Sequence, residues 1–294
     1  MIAQSRTDLL GATVVHGPVA GVHSGRWDGL AVIGNHSADA VITTRADAHS
    51  AMVEVHGVAR FHIAARTVTI DTHPDATDEA VRSWLFGTVA ALVAGQDGRF
   101  ALHASVIELD GVCVAISGMR KAGKSTTTLA ATLAGATLVA DDVAVLTRDD
   151  ARLLVHPFGR PVHVWNETAE RLGIDVAGAP QVASGFDKVS LPAPVDHSPR
   201  PLHGMVVLRP DAVTAPVATA VSGIGRLQAV RSQTYRAQLV GAVWPQEVFQ
   251  WQAEVARSLE VIRIVRPETW SVDAVVAEVT AFAGRLGSRR ASTP

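Results

Sequence analysis

Gly118-Met119-Arg120-Lys121-Ala122-Gly123-Lys124-Ser125 constrains this chain more than any other stretch. It matches G-x-x-x-x-G-K-[ST] at every fixed position and follows Val112 to Ile116, a continuous apolar run of the kind that fills a buried strand. From Lys124 the sequence turns rich in Thr, Ala and Leu, which predicts a helix to about Ala134. A loop joining a strand end to a helix start leaves backbone N–H groups without intrahelical acceptors, at the positive end of the helix dipole. Triphosphate oxygens satisfy such groups. The expected binding residues run from Gly118 through Met119, Arg120, Lys121, Ala122, Gly123, Lys124 and Ser125 to Thr126. Gly118 and Gly123 permit close backbone approach, Lys124 reaches the terminal phosphates, and the Ser125 hydroxyl suits Mg²⁺. Arg120 and Lys121 read either as contacts to phosphate or an acidic substrate segment, or as solvated charge at a loop tip.

The next signal is Asp141-Asp142, at the end of a predicted strand Thr137 to Ala140 and seventeen residues after Lys124. A right-handed strand-helix-strand crossover makes the flanking strands parallel and brings the two acids to the loop. One carboxylate can then help hold Mg²⁺ while the other accepts the proton of an attacking hydroxyl, a division of labour that favours phosphoryl transfer. Without the loop, the pair would read as a strand end or turn cap. His103 opens a predicted strand, Leu102 to Leu109, and the Asp110-Gly111 turn predicts a hairpin that sets it beside Ser117. There it can orient an acid or a hydroxyl near neutral pH, or serve as a satisfied structural histidine. Cys113, the one cysteine, lies inside the apolar strand and reads as a core residue.

Around this segment the period changes. Short alternating runs between about residues 12 and 72, such as Val53 and Val55, Phe61 and Ile63, then Val68 and Ile70, predict a β-rich first third. Between residues 75 and 94, capping candidates Asp75 and Thr77 precede Val81, Trp84, Leu85, Val89 and Leu92, which share one face of an amphipathic helix. Pro192, Pro194, Pro199 and Pro201 predict an irregular surface connection over 192–201. Val275, Val276, Val279 and Phe282 predict a last helix, followed by a disordered tail GSRRASTP. The expected domains are a β-rich part over 1–98 and a catalytic part over 99–294.

Composition sets the outer bounds. With 26 basic and 28 acidic side chains, a net charge of −2 gives no global electrostatic reason to expect nucleic acid or an anionic membrane as partner. The apolar run Leu85 to Gly95 is shorter than the roughly 20 residues a membrane helix needs and reads as a core helix. A single cysteine allows no internal disulfide, and the first residues, MIAQSRTDLLGATVV, lack a signal-peptide pattern, so the expected location is cytoplasmic. The chain contains neither an N-K-x-D base-reading motif nor an LSGGQ-like stretch, which argues against a GTPase and a transporter ATPase.

Taken together, residues 102–146, LHASVIELDGVCVAISGMRKAGKSTTTLAATLAGATLVADDVAVL, resemble the catalytic core of the HPr kinase/phosphorylase family and its shorter relatives. The order carries the resemblance: a His before a hairpin, the loop in the next strand's turn, a short helix, then L-V-A-D-D. It implies an α/β fold, a P-loop kinase core of the HPr kinase and phosphoenolpyruvate carboxykinase type, with the β-rich part added at the N-terminus. It also implies ATP with Mg²⁺ as donor and a Ser or Thr hydroxyl of a peptide or protein as acceptor. Under it, Lys124 and Ser125 take phosphate and metal roles, Asp141 a metal role, Asp142 the base role and His103 a supporting catalytic role. Pro157-Phe158-Gly159-Arg160-Pro161 and Lys188-Val189-Ser190-Leu191-Pro192 look like later segments of shorter relatives, which makes Lys188 a substrate-site candidate. Some of those relatives modify ribosomally made precursor peptides of the lasso type, the preferred niche here, and the resemblance admits a homo-oligomer. Met119-Arg120-Lys121 replaces the usual small loop residues and Ala104 replaces a usual glycine. These departures keep two alternatives open: a kinase for a small-molecule hydroxyl such as free serine, and an ATP-binding regulatory module that transfers nothing.

Overall fold

The computed structural model describes residues 7–19, 31–37, 40–150, 152–182, 187–192, 196–269 and 271–291. The chain divides into two compact units. Unit 1 comprises Met1–Arg99, Gln181–Phe186 and Arg236–Phe249, and unit 2 comprises Phe100–Pro180, Asp187–Tyr235 and Gln250–Pro294.

Unit 1 is built on seven strands: β1 (Thr7–Leu9), β2 (Ala12–His16), β3 (Ala31–Ser37), β4 (Ala40–Ala46), β5 (Ser50–Val55), β6 (Ala59–Ala64) and β7 (Thr67–Thr72). They form one sheet in the order β1-β2-β7-β6-β5-β4-β3. The alternation read from the sequence is real: Val53, Phe61, Ile63 and Val68 are fully buried and Ile70 nearly so. The helical stretch that follows comes in three pieces rather than one. Helix α1 (Asp78–Trp84) starts where the Thr77 hydroxyl accepts a hydrogen bond from the Ala80 amide, a π-turn segment covers Leu85–Val89, and α2 (Ala90–Gln96) completes it. Gly87 sits at φ −107°, ψ −105°, a break that the helical period could not show. Only the first piece is amphipathic. From Leu85 to Gly95 every residue is buried, so this part packs as a core helix on all sides.

Unit 2 carries the motifs. Its strands are β8 (Phe100–Leu102), β9 (Ala104–Leu109), β10 (Val112–Gly118), β11 (Thr137–Ala140), β12 (Ala144–Asp149), β13 (Arg152–His156), β14 (Val162–Trp165), β15 (Lys188–Leu191), β16 (Arg200–Asp211), β17 (Val217–Val221) and β18 (Glu260–Pro267). Its helices include α3 (Lys124–Leu133), α4 (Asn166–Arg171), α5 (Ile224–Ser232) and α8 (Val272–Ala291); α6 (Ala237–Val243) and the start of α7 (Pro245–Ser258) belong to unit 1. One sheet runs β11-β9-β10-β16-β13-β12-β8, with β18 pairing β16 and β17 pairing β18. Strand β10 is buried along its whole length, between antiparallel β9 and parallel β16. Asp110 and Gly111 both take positive φ, 47° and 76°, the geometry of a tight hairpin turn.

Strand β11 pairs antiparallel with β9, which pairs antiparallel with β10. The strands before and after α3 therefore run parallel, as a crossover requires, but with β9 between them. Strands β16 and β18 are parallel to β10 as well. The carboxyl ends of four strands and the amino end of β9 thus share one sheet edge, the edge where open α/β sheets bind ligands. One face is covered by α8, whose Val275, Val279, Phe282 and Leu286 pack with Ile107, Val114, Ile116 and Val206.

Three readings need correction. The predicted strand Leu102 to Leu109 breaks at His103, because β8 pairs with β12 whereas β9 pairs with β10 and β11. In the proline segment, Arg200 and Pro201 already belong to β16, where Pro201 sits opposite Leu154 at the start of the strand, a position that tolerates a missing N–H. Pro194 lies outside the described residues. The tail is helical to Ala291, since α8 continues through Gly287-Ser288-Arg289-Arg290; residues 292–294 lie outside the described residues.

Gly204 in β16 faces the helix that covers the sheet, and a Cβ there would stand 2.7 Å from Leu286 Cδ1 and 2.8 Å from Phe282 Cε1. Gly204→Val is therefore expected to destabilise the fold by about 1–3 kcal/mol in chemical denaturation. An unchanged midpoint would show that α8 does not press on β16.

Candidate active site

All the candidate residues lie in unit 2, along the shared sheet edge except Lys188, which comes from the separate β14-β15 pair. The loop leaves β10 at Gly118, whose φ of +148° and close neighbours explain its identity: a Cβ would meet the Leu208 carbonyl oxygen at 2.6 Å and Ala122 Cβ at 2.9 Å. A turn closes where the Ala122 amide donates to Met119 O at 3.0 Å, and Gly123 at φ +98° starts α3. Lys124 folds back over the loop, its Nζ donating to Gly118 O at 2.9 Å. Met119, Arg120 and Lys121 are exposed at the tip, Met119 at 73%. Among the described residues, the amides of Gly123, Lys124, Ser125 and Thr126 have no hydrogen-bond acceptor. Four adjacent orphan donors with a lysine beside them fit a polyphosphate.

The two aspartates face different surroundings. Asp141 is 2% exposed, accepts a 2.6 Å hydrogen bond from the Ser105 hydroxyl, and lies 3.4 Å from the His163 amide. Burial, reinforced by the charge of Asp142, pushes its carboxyl above the ordinary range. Asp142, at φ +62°, holds the Arg160 guanidinium at 2.8 Å and His103 Nδ1 at 3.2 Å. Burial pushes Asp142 up, but Arg160, then His103, Lys124 and Lys188, outweigh it and hold the carboxyl below its usual range. The pair is thus split electrostatically. As the site stands, Asp142 is the carboxylate open to the loop, its side chain 31% exposed, and Asp141 is tied to the sheet.

His103 sits where the chain steps from β8 to β9. Its backbone amide donates to Gln233 O at 2.7 Å, and its ring lies 5.7 Å from that of Tyr235. Burial lowers its pKa against the opposing pull of Asp142, with Lys124 and Arg160 adding to the depression, so the ring is neutral at pH 7. Lys188 also reaches this edge: its ammonium lies 4.7 Å from the centre of the Trp165 ring, and burial lowers its pKa while Asp142 and Asp141 raise it. Lys124 is likewise lowered by burial and raised by Asp142 and then Asp141. The structure therefore brings Lys124, Asp141, Asp142, His103 and Lys188 to one place. Cys113 lies apart from it, its thiol pushed up to about 12 by burial and the nearby Glu108.

Sequence reasoning missed three residues here. Arg160, 8% exposed, pairs with Asp142; the sequence marked it only as part of the family-like segment from Pro157 to Pro161 and gave it no role. Gln233 is buried, and its Oε1 accepts the Gly118 amide hydrogen bond at 2.8 Å while its backbone oxygen takes the His103 amide. It ties the loop to the histidine from 115 residues away. Arg266 on β18 donates to the carbonyl oxygens of Ala122 and Lys121.

No family model and no curated protein matches the chain. Among solved structures, the chain is similar to the Hpr(Ser) kinase/phosphatase from Coxiella burnetii at 15% identity, over 64% of this chain and 98% of that one, with a TM-score of 0.34. Likeness at that level assigns no residue a role. No helix among the described residues is long and apolar enough to cross a membrane.

Because its folded pKa is depressed, His103 is expected to titrate below 6.5 when its ring protons are followed by NMR. Asp142 is the group that raises that value, so Asp142→Asn lowers the midpoint further; a rise would contradict the geometry. The depressed Asp142 pKa has a matching sign in stability. Its contribution is present above the ordinary carboxylate range and is lost as pH falls through the folded value, so Arg160→Leu flattens the acid limb of a stability-versus-pH curve.

Proposed function

We propose that the chain is an ATP-dependent kinase transferring a phosphoryl group to a Ser or Thr hydroxyl of a peptide or protein. The observation that carries this reading is the convergence, on one sheet edge, of four orphan amides and Lys124 with an accessible, ionised Asp142. ATP with Mg²⁺ would supply the phosphoryl group and the charge neutralisation its transfer needs. The amides of residues 123–126 and the Lys124 ammonium bind the phosphates, with Lys124 leaving Gly118 O to do so. Ser125 and Asp141 would be the oxygen donors for the metal, a hard cation that prefers such ligands.

Asp142 accepts the hydroxyl proton as the new O–P bond forms and the bond between the γ-phosphorus and the leaving diphosphate oxygen breaks. A carboxylate held at a low pKa is a weak base, which suits a loose transition state that asks little of its base. His103, neutral and in contact with Asp142, orients that carboxylate. Lys188, seated on Trp165, adds positive charge on the acceptor side. Asp141 serves as the buried support for this edge as well as a metal candidate, since Ser105 holds one of its oxygens. A precursor peptide of the lasso type is the preferred acceptor, in a cytoplasmic setting.

One observation favours a second reading. Both Asp142 oxygens already face cationic or histidine partners, as in a site built to bind rather than transfer, and a nucleotide-sensing module would look the same. Incubation of the protein with Mg-ATP and a panel of HPr, precursor peptides and free serine separates the readings by mass spectrometry. The expected result is a phosphopeptide whose formation falls at least about 100-fold in Lys124→Ala and in Asp142→Asn, with ATP still bound by the latter. An adduct on free serine alone moves the acceptor to a small molecule. ATP binding with no adduct on any acceptor supports the sensing module.

A further inference from the structure

Arg266 stands near the end of β18, and its guanidinium is directed at backbone carbonyls. Nε donates to Ala122 O at 2.8 Å, Nη2 to Lys121 O at 3.3 Å and Nη1 to Pro267 O at 2.6 Å. Ala122 O and Lys121 O are the acceptors that the amides of Thr126 and Ser125 would use if α3 began one turn earlier. Arg266 occupies both, and those amides stay without partners. Lys121 at φ +66° and Gly123 at φ +98° take the left-handed conformation, and alternation of this kind turns successive N–H groups inward and their carbonyls outward. The outward carbonyls need donors, and the arginine fork supplies two in a fixed plane. A side chain at position 123 would crowd the fork, because a Cβ there stands 3.2 Å from Nε.

We propose that Arg266 is a positioning residue for the phosphates: it clamps the back of the loop and keeps the inward amides formed before a nucleotide arrives. The proposal rests on the phosphate-binding reading of this loop. A clamp acting through geometry differs from a charge acting at a distance. Lysine keeps the charge but cannot serve two carbonyls in one plane, so Arg266→Lys separates the two.

The test uses the full chain and its Arg266→Lys and Arg266→Met variants, followed by hydrogen exchange without ligand and by calorimetric titration with tripolyphosphate and with ATP. The expected result in both variants is exchange about tenfold faster at the Ala122 amide, the donor that closes the loop onto Met119 O, with β10 and α8 unchanged, and affinity for tripolyphosphate weakened about 10- to 100-fold. Wild-type exchange in the loop of Arg266→Lys would overturn the clamp, even if Arg266→Met binds less well, because charge alone would then be the cause. Faster exchange spread over β10 and α8 would also overturn it and make Arg266 a general structural residue. Should the methionine variant fail to fold, the lysine variant decides by the same readouts. Failure of the wild-type protein to bind tripolyphosphate or ATP would instead overturn the phosphate reading, while the exchange comparison still reports on the clamp by itself.

Discussion

The placement of β10 between an antiparallel and a parallel neighbour governs the rest of unit 2. The antiparallel partner β9 starts where β10 ends, so His103 is delivered to the mouth of the Gly118 loop. The parallel partner β16 ends on the same side and passes that direction to β18, which brings Arg266. Strand β11, on the far side of β9, runs with β10 and releases Asp141 and Asp142 at the same edge. No single contact at the site assembles it. The direction of five strands does, and the apolar packing of α8 against β10, β16 and β18 holds those directions.

The electrostatics follow from this crowding. Two adjacent carboxylates cannot both stay ionised in a half-buried site without help, and the help is unequally shared. Arg160 and His103 go to Asp142, whereas Asp141 has a hydroxyl and a backbone amide. Neutral donors compensate burial less well than a guanidinium does, which is why the two pKa values move in opposite directions. The lowered pKa values of Asp142 and His103 thus result from which partners and how much burial each side chain meets.

Much of this was legible in the sequence, and the boundary is physical. The loop, α3 and the Asp110-Gly111 turn are local, set by residues within a few positions of one another, and they stand where the pattern put them. The parallel sense of β10 and β11 followed from crossover geometry, but which strand lies between them is a choice among distant partners, and the pattern is silent on it. His103 could be placed beside Ser117 by hairpin register, yet the strand break at that residue was invisible because Ala101, Leu102, Ala104 and Ser105 all read as β. Arg160, Gln233 and Arg266 reach the site from 18, 115 and 144 residues away from their partners, with no spacing rule to announce them. Lys188 entered through the family resemblance rather than any local pattern.

The central claim is that the loop from Gly118 to Thr126 holds nucleotide phosphates with Asp142 and His103 at the reacting end. Amide-resolved NMR of the whole chain on adding Mg-ATP, compared with AMP, tests it most directly. The account predicts that Mg-ATP moves the signals of residues 119–126, Asp142 and His103 far more than any others, and that AMP, lacking the outer phosphates, leaves the loop amides nearly unmoved. Equal effects from AMP, or shifts centred away from the loop, would contradict it.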